Sequence, residues 1–368
     1  MNIIDIYKLY SENYLVDTDT RKIRKNTIFF ALKGDNFNGN GFALEALKLG
    51  AKYAIVDEKK YQTNNRIILV NDVLKTLQQL ANHHRKALKI TIIGLTGSNG
   101  KTTTKELINV VLSKKLRTTA TVGNLNNHIG VPLTLLSMTP ETEIGIVEMG
   151  ANHQKEIEFL CSICEPNFGY ITNFGKAHLE GFGGINGVIK GKSELYTFLE
   201  KNNKTAFINQ EDSIQVEKSK KINTIQLNDS LKFLEANPFV TFKAEKTTIT
   251  SKLIGSYNFT NLCAATIIAK YFSVALEDIK TGIENYTPQN NRSQIITIAS
   301  NKVVLDAYNA NPTSMRAAIM NFASMQVPNK QLWLGAMKEI GNTEQQEHSA
   351  LIALIQEYHW AQVVLVGD

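Results

Sequence analysis

The sequence predicts an α/β protein of two or three domains, centred on a domain with a mostly parallel sheet. Three observations carry that expectation. The chain has 368 residues, more than one ordinary domain holds. Residues 89–106 read KITIIGLTGSNGKTTTKE, an apolar β-branched run followed by a turn through glycines and a helix start. From Lys89 onward, strand-length apolar runs alternate with helical ones, the pattern of a parallel sheet covered on both faces.

The elements follow in order. Residues 1–88 read as a small α/β domain, with strands at 27–32, 53–56 and 66–70 and a helix at 42–49 stopped by Gly50. Asp72 then opens a helix that carries Val73, Leu74, Leu77 and Leu80 on one face. Residues 89–310 form the central domain, with strands at 89–94, 117–121, 144–149, 168–172 and 205–208. Ligands of such sheets gather at the carboxyl ends of strands, where Glu148, the run from Asn173 to His178, and Asn209 fall. Residues 156–164 are helical. The lysine-rich stretch 213–229 reads as a solvated surface excursion, 240–254 as a small antiparallel appendage, and Asn258 opens a helix running to Lys270. Residues 311–368 form the third domain: helix, strand 331–335, helix, strand 363–367.

The turn Gly94-x-x-Gly97-x-x-Gly100-Lys101-Thr102 is a variant of the phosphate loop G-x-x-x-x-G-K-[ST], with Leu95 where a glycine is usual. Backbone N–H groups through Ser98, Asn99 and the helix start at Thr103 would cradle phosphate, and Lys101 adds a full charge. Thr102 can offer its hydroxyl to Mg²⁺, and at Gly97 and Gly100 a Cβ would block the approach of phosphate. The ligand implied is ATP. Glu148 would be a buried carboxylate after an apolar strand, costly unless it meets a cation; Mg²⁺ shared with Thr102 is the natural partner.

Composition excludes several classes. Hydrophobic residues at 43% and charged residues at 20% describe a globular chain, and the net charge of +6 comes from scattered lysines without interleaved aromatics. That suits anionic, phosphate-bearing substrates and argues against nucleic acid as a partner. Three cysteines point to a reducing compartment. Cys161 and Cys164 lie on one helix with no second pair, which argues against a metal or redox role. There is no secretory pattern and no apolar run of transmembrane length, so a cytoplasmic protein, without membrane insertion and monomeric, is expected.

The loop G-x-T-G-S-N-G-K-T-T resembles that of the Mur ligase family, the ATP-dependent amide-forming enzymes of peptidoglycan precursor assembly. Relatives such as folylpolyglutamate synthetase share it, so the loop names a superfamily and not a substrate. Asp19-Thr20-Arg21, then TIFFALKG and FNGNGF, resemble the family's uridine-nucleotide-binding domain, which implies substrate contacts at Thr20 and Arg21; Asn38, Asn40 and Gly41 depart from its FDGHDF-like run. NLNNHIGVPLTLL resembles the substrate loop, with Asn126 and Asn127 suited to a peptide carboxylate and phosphate oxygens. The phrase TN-x-G-x-AHL-x-GFG implies that His178 is a ligand of a second metal. Lys192, four residues before Tyr196, matches the lysine that the family carbamylates to complete that site, whereas Lys190 does not. The run from Gly255 to Ala265 resembles G-x-H-N-x-x-N-x-x-A-A with Tyr257 in place of histidine, and it implies that Asn258 and Asn261 approach adenine. Arg292 takes the place of the family's G-R arginine, with Asn291 in the glycine's position. Asp306, after the strand 303–305, is suited to ribose hydroxyls. Tyr308-Asn309-Ala310-Asn311-Pro312 resembles the member that adds D-alanyl-D-alanine, with Asn309 and Asn311 as substrate residues; LGAMKEIG at 334–341 agrees, although Ala336 replaces an expected aspartate.

The resemblance implies the three-domain Mur ligase architecture, with an incomplete Rossmann-like third domain. It implies a ligase joining D-alanyl-D-alanine to UDP-MurNAc-tripeptide with ATP, two Mg²⁺ ions and carbamylated Lys192. The ligase that adds the third residue and a folylpolyglutamate-type ligase are rivals that lack the YNANP run; a nucleotide-binding remnant without ligase activity is a rival from another class. The last residues, VVLVGD, read as a central parallel strand, which wants neighbours on both edges and helices on both faces, so a fragment with weak ligase activity is expected.

Overall fold

In the computed structural model, residues 1–227, 230–289 and 291–367 are described. The first 88 residues form α1 (Ile3–Tyr10), β1 (Val16–Asp17), β2 (Ile28–Phe30), β3 (Lys33–Gly34), β4 (Phe37–Asn38), α2 (Ala43–Lys48), β5 (Tyr53–Val56), β6 (Ile67–Leu69) and α3 (Val73–Leu88). β1, β2, β5 and β6 make a parallel sheet in that order, and Phe29, Ala46, Ala54 and Val56 belong to its buried core. α3 starts where Asp72 accepts the Lys75 amide at 2.8 Å, satisfying one of the donors a helix start leaves open. The β3–β4 hairpin leads into a turn held by Asn40, one of the departures from the family's run. Its Oδ1 accepts the Asp57 amide at 2.9 Å and its Nδ2 donates to the Asp57 carboxylate at 2.9 Å. A buried amide there does both donor and acceptor work.

The chain continues as β7 (Thr91–Thr96), α4 (Lys101–Leu112), β8 (Thr118–Ala120), α5 (Gly130–Leu135), β9 (Ile144–Glu148), α6 (Glu156–Cys164) and β10 (Phe168–Ile171). Next come α7 (Leu179–Phe182), α8 (Ile185–Lys192), α9 (Glu194–Lys201), β11 (Thr205–Ile208), α10 (Ser213–Lys218) and β12 (Asn223–Gln226). A three-stranded antiparallel sheet of β13 (Leu231–Ala236), β14 (Phe239–Ala244) and β15 (Thr247–Ile254) precedes α11 (Asn258–Tyr271) and α12 (Leu276–Asn285). The last elements are the β16 (Gln294–Ile298) and β17 (Asn301–Leu305) hairpin, α13 (Pro312–Ser324), β18 (Gln331–Gly335), α14 (Glu344–Gln356) and β19 (Gln362–Val366), with β18 and β19 parallel.

By its internal contacts the chain divides into Met1–Ile93 with Arg117–Met149 and Phe159–Pro166, and Gly94–Leu116 with Gly150–Glu158 and Asn167–Asp368. Within the first unit β8 and β9 pair parallel, and within the second β10, β11 and β12 pair parallel in the order β12-β11-β10. β12 corrects the reading of 213–229 as a solvated excursion. It pairs parallel with β11, Thr205 opposite Asn223, and α10 before it is capped by Asp212, which accepts the Ile214 amide at 3.0 Å. β12 is an edge strand and mostly exposed, so its polar sequence concealed it. Asn228 and Asp229, at the end of that stretch, lie outside the described residues, as do Asn290 and Asp368. Among the described residues no helix is long and apolar enough to cross a membrane.

One buried residue of the first unit makes stability pH-dependent. His84 of α3 is fully buried, its ring among Tyr7, Tyr10 and Tyr14, with Nε2 donating to the Met138 carbonyl at 2.9 Å. Burial holds its pKa below the usual value of 6.5, so the folded state keeps the imidazole neutral while the unfolded chain takes up a proton near 6.5. Stability from this residue is therefore present above about 6.5 and lost as the pH falls toward the depressed folded value. The urea midpoint is expected to drop more between pH 7.5 and 5.5 in the wild type than in His84→Gln; parallel drops would remove His84 from the account.

Candidate nucleotide and metal site

The phosphate loop belongs to the second unit and is fixed by the end of β10. The Ser98 amide donates to the Asn173 carbonyl at 3.0 Å, the Asn99 amide to Asn173 Oδ1 at 3.0 Å, and Ser98 Oγ to the Gly175 carbonyl at 2.8 Å. In return Thr172 Oγ1 donates to the Asn99 carbonyl at 2.6 Å. Lys101 Nζ folds over the loop and donates to the Gly97 carbonyl at 2.8 Å, while Thr102 and Thr103 are buried in the first turn of α4. Ordered carbonyls and amides of this kind hold a loop in the shape its ligand needs.

The two loop glycines are required for a reason other than phosphate access. Gly97 has φ +143°, and a Cβ there would stand 2.0 Å from Thr172 Oγ1 and 2.9 Å from the Thr172 nitrogen. Gly100 has φ +78°, and its Cβ would meet Asn261 Oδ1 at 2.8 Å. Both sites combine a left-handed backbone with a crowded neighbour. Gly97→Ala is expected to cost about 2–4 kcal/mol of stability, through strain and the lost β10 contact, and to abolish nucleotide binding. Thermal unfolding and nucleotide titration of the variant test this together; an unchanged midpoint would contradict it.

α11 packs on α4 and carries the two asparagines expected near adenine. Both are buried and bonded to protein. Asn258 Nδ2 donates to the Ile254 carbonyl at 2.8 Å, Asn261 Nδ2 to Asn258 Oδ1 at 2.8 Å, and Thr104 Oγ1 to Asn261 Oδ1 at 3.0 Å. The pair thus ties the start of α11 to the loop helix.

Asn99 faces Asn311, the cap residue of α13. Asn311 Nδ2 donates to Asn99 Oδ1 at 2.7 Å, while Asn311 Oδ1 accepts the Ser314 amide at 2.9 Å and the Ser314 hydroxyl accepts the Asn311 amide in a full capping box. Next to this pair the Lys176 amide donates to Thr313 Oγ1 at 2.9 Å, and Lys176 is ion-paired with Glu347 of α14. Asn309 is exposed, its Oδ1 accepting the Ala310 amide at 2.9 Å. Arg292 stacks its guanidinium 3.7 Å from the ring centroid of Tyr308, and Asp306 accepts a hydrogen bond from Ser293 Oγ at 3.4 Å.

His178 and Lys192 also lie in the second unit. His178 Nδ1 is bonded to the Glu339 carboxylate, and the Glu180 amide donates to the Glu339 carbonyl at 3.1 Å. Burial pulls the imidazole pKa down, the ion pair with Glu339 opposes it, and the charges of Lys101 and Lys192 add to the lowering. Lys192, at the end of α8, is 1% exposed, donates to the Ala151 carbonyl at 3.0 Å and lies 5.0 Å from the Phe182 ring centroid. Burial, helped by the charge of Lys101, holds its pKa well below the ordinary lysine value. Lys190, two residues earlier, is exposed. Lys101, His178 and Lys192 thus form one basic group within electrostatic reach of each other.

Glu148 and Asn126 lie in the first unit. Glu148 is 1% exposed at the end of β9; its Oε1 accepts from Asn126 Nδ2 at 2.9 Å and its amide donates to Thr121 Oγ1 at 3.0 Å. Asn127 instead holds the turn that leads into α5, its Oδ1 accepting the Ile129 amide at 3.1 Å and the Gly130 amide at 2.9 Å. In the same unit Thr20 and Arg21 form a 3-10 turn after Asp19, whose carboxylate accepts Arg21 Nη2 at 2.7 Å; hydrogen bonds from Arg21 lower the Asp19 pKa to about 2. Among the described residues no group of three or more His, Cys, Asp or Glu could hold a metal ion. Cys161 and Cys164 are buried against the Met149 sulfur.

Sequence reasoning missed the residues that support these groups. Thr172 lies beside Asn173 in the TN of one motif, and Glu339 in LGAMKEIG, so motif membership was their available signal. Ser293 and Thr104 had none, because single hydroxyl contacts over long sequence separations leave no pattern.

Three family models match the chain: the Mur ligase family, catalytic domain, at residues 13–85; the Mur ligase middle domain at 95–269; and the Mur ligase, glutamate ligase domain, at 291–368. The UDP-N-acetylmuramoyl-tripeptide–D-alanyl-D-alanine ligase of Bacillus subtilis (strain 168) is 36% identical over 352 residues, covering 92% of this chain and 77% of that protein. MurF from Acinetobacter baumannii superposes with a TM-score of 0.86 at 32% identity, covering 96% of this chain and 80% of that chain. The MurF ligase from Thermotoga maritima in complex with ADP superposes with a TM-score of 0.81 at 26% identity, covering 96% of this chain and 88% of that one. With α/β domains, parallel sheets and matches of this extent, the chain belongs to the Mur ligase family and is a homologue of its UDP-N-acetylmuramoyl-tripeptide–D-alanyl-D-alanine ligases.

Proposed function

We propose that this protein is an ATP-dependent ligase that joins D-alanyl-D-alanine to UDP-MurNAc-tripeptide, acting in the cytoplasm as a monomer. The observation that carries the reading is the bond between Asn99 and Asn311. The phosphate loop and the YNANP run form one hydrogen-bonded unit, so the group that handles ATP is joined to the stretch that distinguishes the dipeptide-adding ligase. Residues 1–88, with Thr20 and Arg21, are assigned to the UDP-sugar peptide, residues 89–310 to ATP, and residues 311–368 to closing the site and receiving the dipeptide.

A free carboxylate is a poor acyl donor. In the proposed reaction the γ-phosphoryl of ATP passes to the terminal carboxylate of the tripeptide, forming an acyl phosphate and ADP. The dipeptide amine attacks the acyl carbon, the amide bond forms, and phosphate leaves with the C–O bond electrons. The chain's contribution is positional and electrostatic: loop amides and Lys101 meet the phosphates, Asn126 and Asn127 orient the peptide, and Asn258, Asn261, Arg292 and Asp306 shape the nucleoside end.

The buried Glu148 carboxylate at the end of β9 suits Mg²⁺, which is commonly held by one or two carboxylates together with substrate phosphates. Glu148 is assigned to one ion and His178 with carbamylated Lys192 to the other; when bound, Mg²⁺ neutralises charge on the phosphates. Lys192 suits the modification because its dry surroundings favour the neutral amine, which adds to CO₂ with formation of an N–C bond and loss of a proton. The carbamate would then carry negative charge into the basic group of Lys101 and His178. Phosphate release from ATP and UDP-MurNAc-tripeptide, measured with and without D-alanyl-D-alanine, tests the reading. Release that requires the dipeptide supports it; release driven by glutamate or by a single amino acid instead would overturn it.

A further inference from the structure

The surroundings of Tyr257 give it a distinct job. The residue is half-buried just before α11, with its hydroxyl 2.7 Å from Ser293 Oγ. Ser293 is 6% exposed, holds a left-handed backbone with φ +52°, and offers both its backbone N–H and its hydroxyl to the Asp306 carboxylate, the latter at 3.4 Å. A carboxylate only accepts, so Ser293 Oγ spends its proton on Asp306 and must accept from Tyr257. The chain therefore has one direction: Tyr257 O–H to Ser293 O–H to Asp306. Burial raises the Tyr257 pKa to about 12, which keeps the phenol a donor throughout the neutral range. Gly255 makes room for it: at φ +85°, a Cβ there would lie 2.3 Å from Tyr257 Cε1.

We propose that Tyr257 is a positioning residue for nucleotide recognition, its hydroxyl acting through Ser293 to aim the Asp306 carboxylate at the ribose hydroxyls. This rests on the reading of Asp306 as the ribose acceptor. Discrimination between a ribonucleotide and its dideoxy analogue is then set partly by a side chain that does not touch the sugar. Directed hydroxyl chains fix geometry this way because each proton has a single place to go.

Binding of ATP and of 2′,3′-dideoxy-ATP to the whole chain, by calorimetry, tests it. The wild type should prefer ATP. Asp306→Asn should erase the preference. Tyr257→Phe, which removes one oxygen and leaves the ring on Gly255, should reduce the preference about 3- to 10-fold, the scale of one mispositioned hydrogen bond, with dideoxy-ATP affinity unchanged. If Asp306→Asn erases the preference and Tyr257→Phe leaves it intact, the positioning role is wrong while the ribose reading stands. If Asp306→Asn leaves the preference intact, the ribose reading fails and takes the proposal with it. Equal weakening of both nucleotides by Tyr257→Phe would mark a general packing role and also overturn it.

Discussion

Lys192→Ala is expected to lose about a thousandfold in turnover, the scale of removing a group that stabilises charge at a transfer centre. The side chain is buried at the end of α8 with Ala151 as its hydrogen-bond partner, so it cannot act as a solvated surface charge. If its role is to bear a carbamate, the missing oxygen can be supplied from solution: short carboxylates such as formate or acetate should restore part of the activity. Lys190→Ala should be mild, because Lys190 is exposed. Steady-state rates of the two variants, with and without added carboxylate, decide the matter. Equal losses, or no rescue at any concentration, would count against a carbamylated Lys192.

Glu148→Gln should be almost as damaging, about a hundredfold or more in turnover, with the fold preserved. The substitution keeps size and one oxygen, so Asn126 Nδ2 can still donate to the side chain. What disappears is the negative charge, and with it the attraction for a divalent cation. The Mg²⁺ concentration needed for half-maximal rate should rise sharply, whereas the urea midpoint should hold or increase, since a buried charge has been removed. Normal turnover with an unchanged Mg²⁺ dependence would eliminate Glu148 as a cation ligand.

The sequence made the parallel sheets legible because most of their buried strands are short apolar runs, and some helix starts, such as Asp72 before α3 and Asn311 before α13, carry their own cap residue. β5 and β11 begin and end where composition placed them. β12 was not legible, because an exposed edge strand is free to be polar. The phosphate loop was legible as a motif but not in its reasons. Gly97 and Gly100 answer to Thr172 and Asn261, residues that lie far along the chain and reach the loop only through folding. The same limit hid the partners of the predicted residues. Nothing local indicates that Asn126 bonds Glu148, or that Glu339 meets His178 across 161 positions. The burial that separates Lys192 from Lys190 depends on how α8 turns, which two lysines in one short helical run do not disclose.

The cap of α13 has a consequence for what this chain can inherit. Helix starts ordinarily accept serine, threonine, aspartate or asparagine almost interchangeably, since each presents an oxygen to the first turn. Position 311 does not share that tolerance. Its oxygen is committed to the Ser314 amide, and that commitment turns the other end of the side chain, an N–H donor, toward Asn99. Aspartate would cap the helix equally well and arrive at the phosphate loop with no proton to donate, and serine or threonine would have to cap and donate through a single oxygen. A substitution that is silent at other helix starts would be felt here as a disturbed loop.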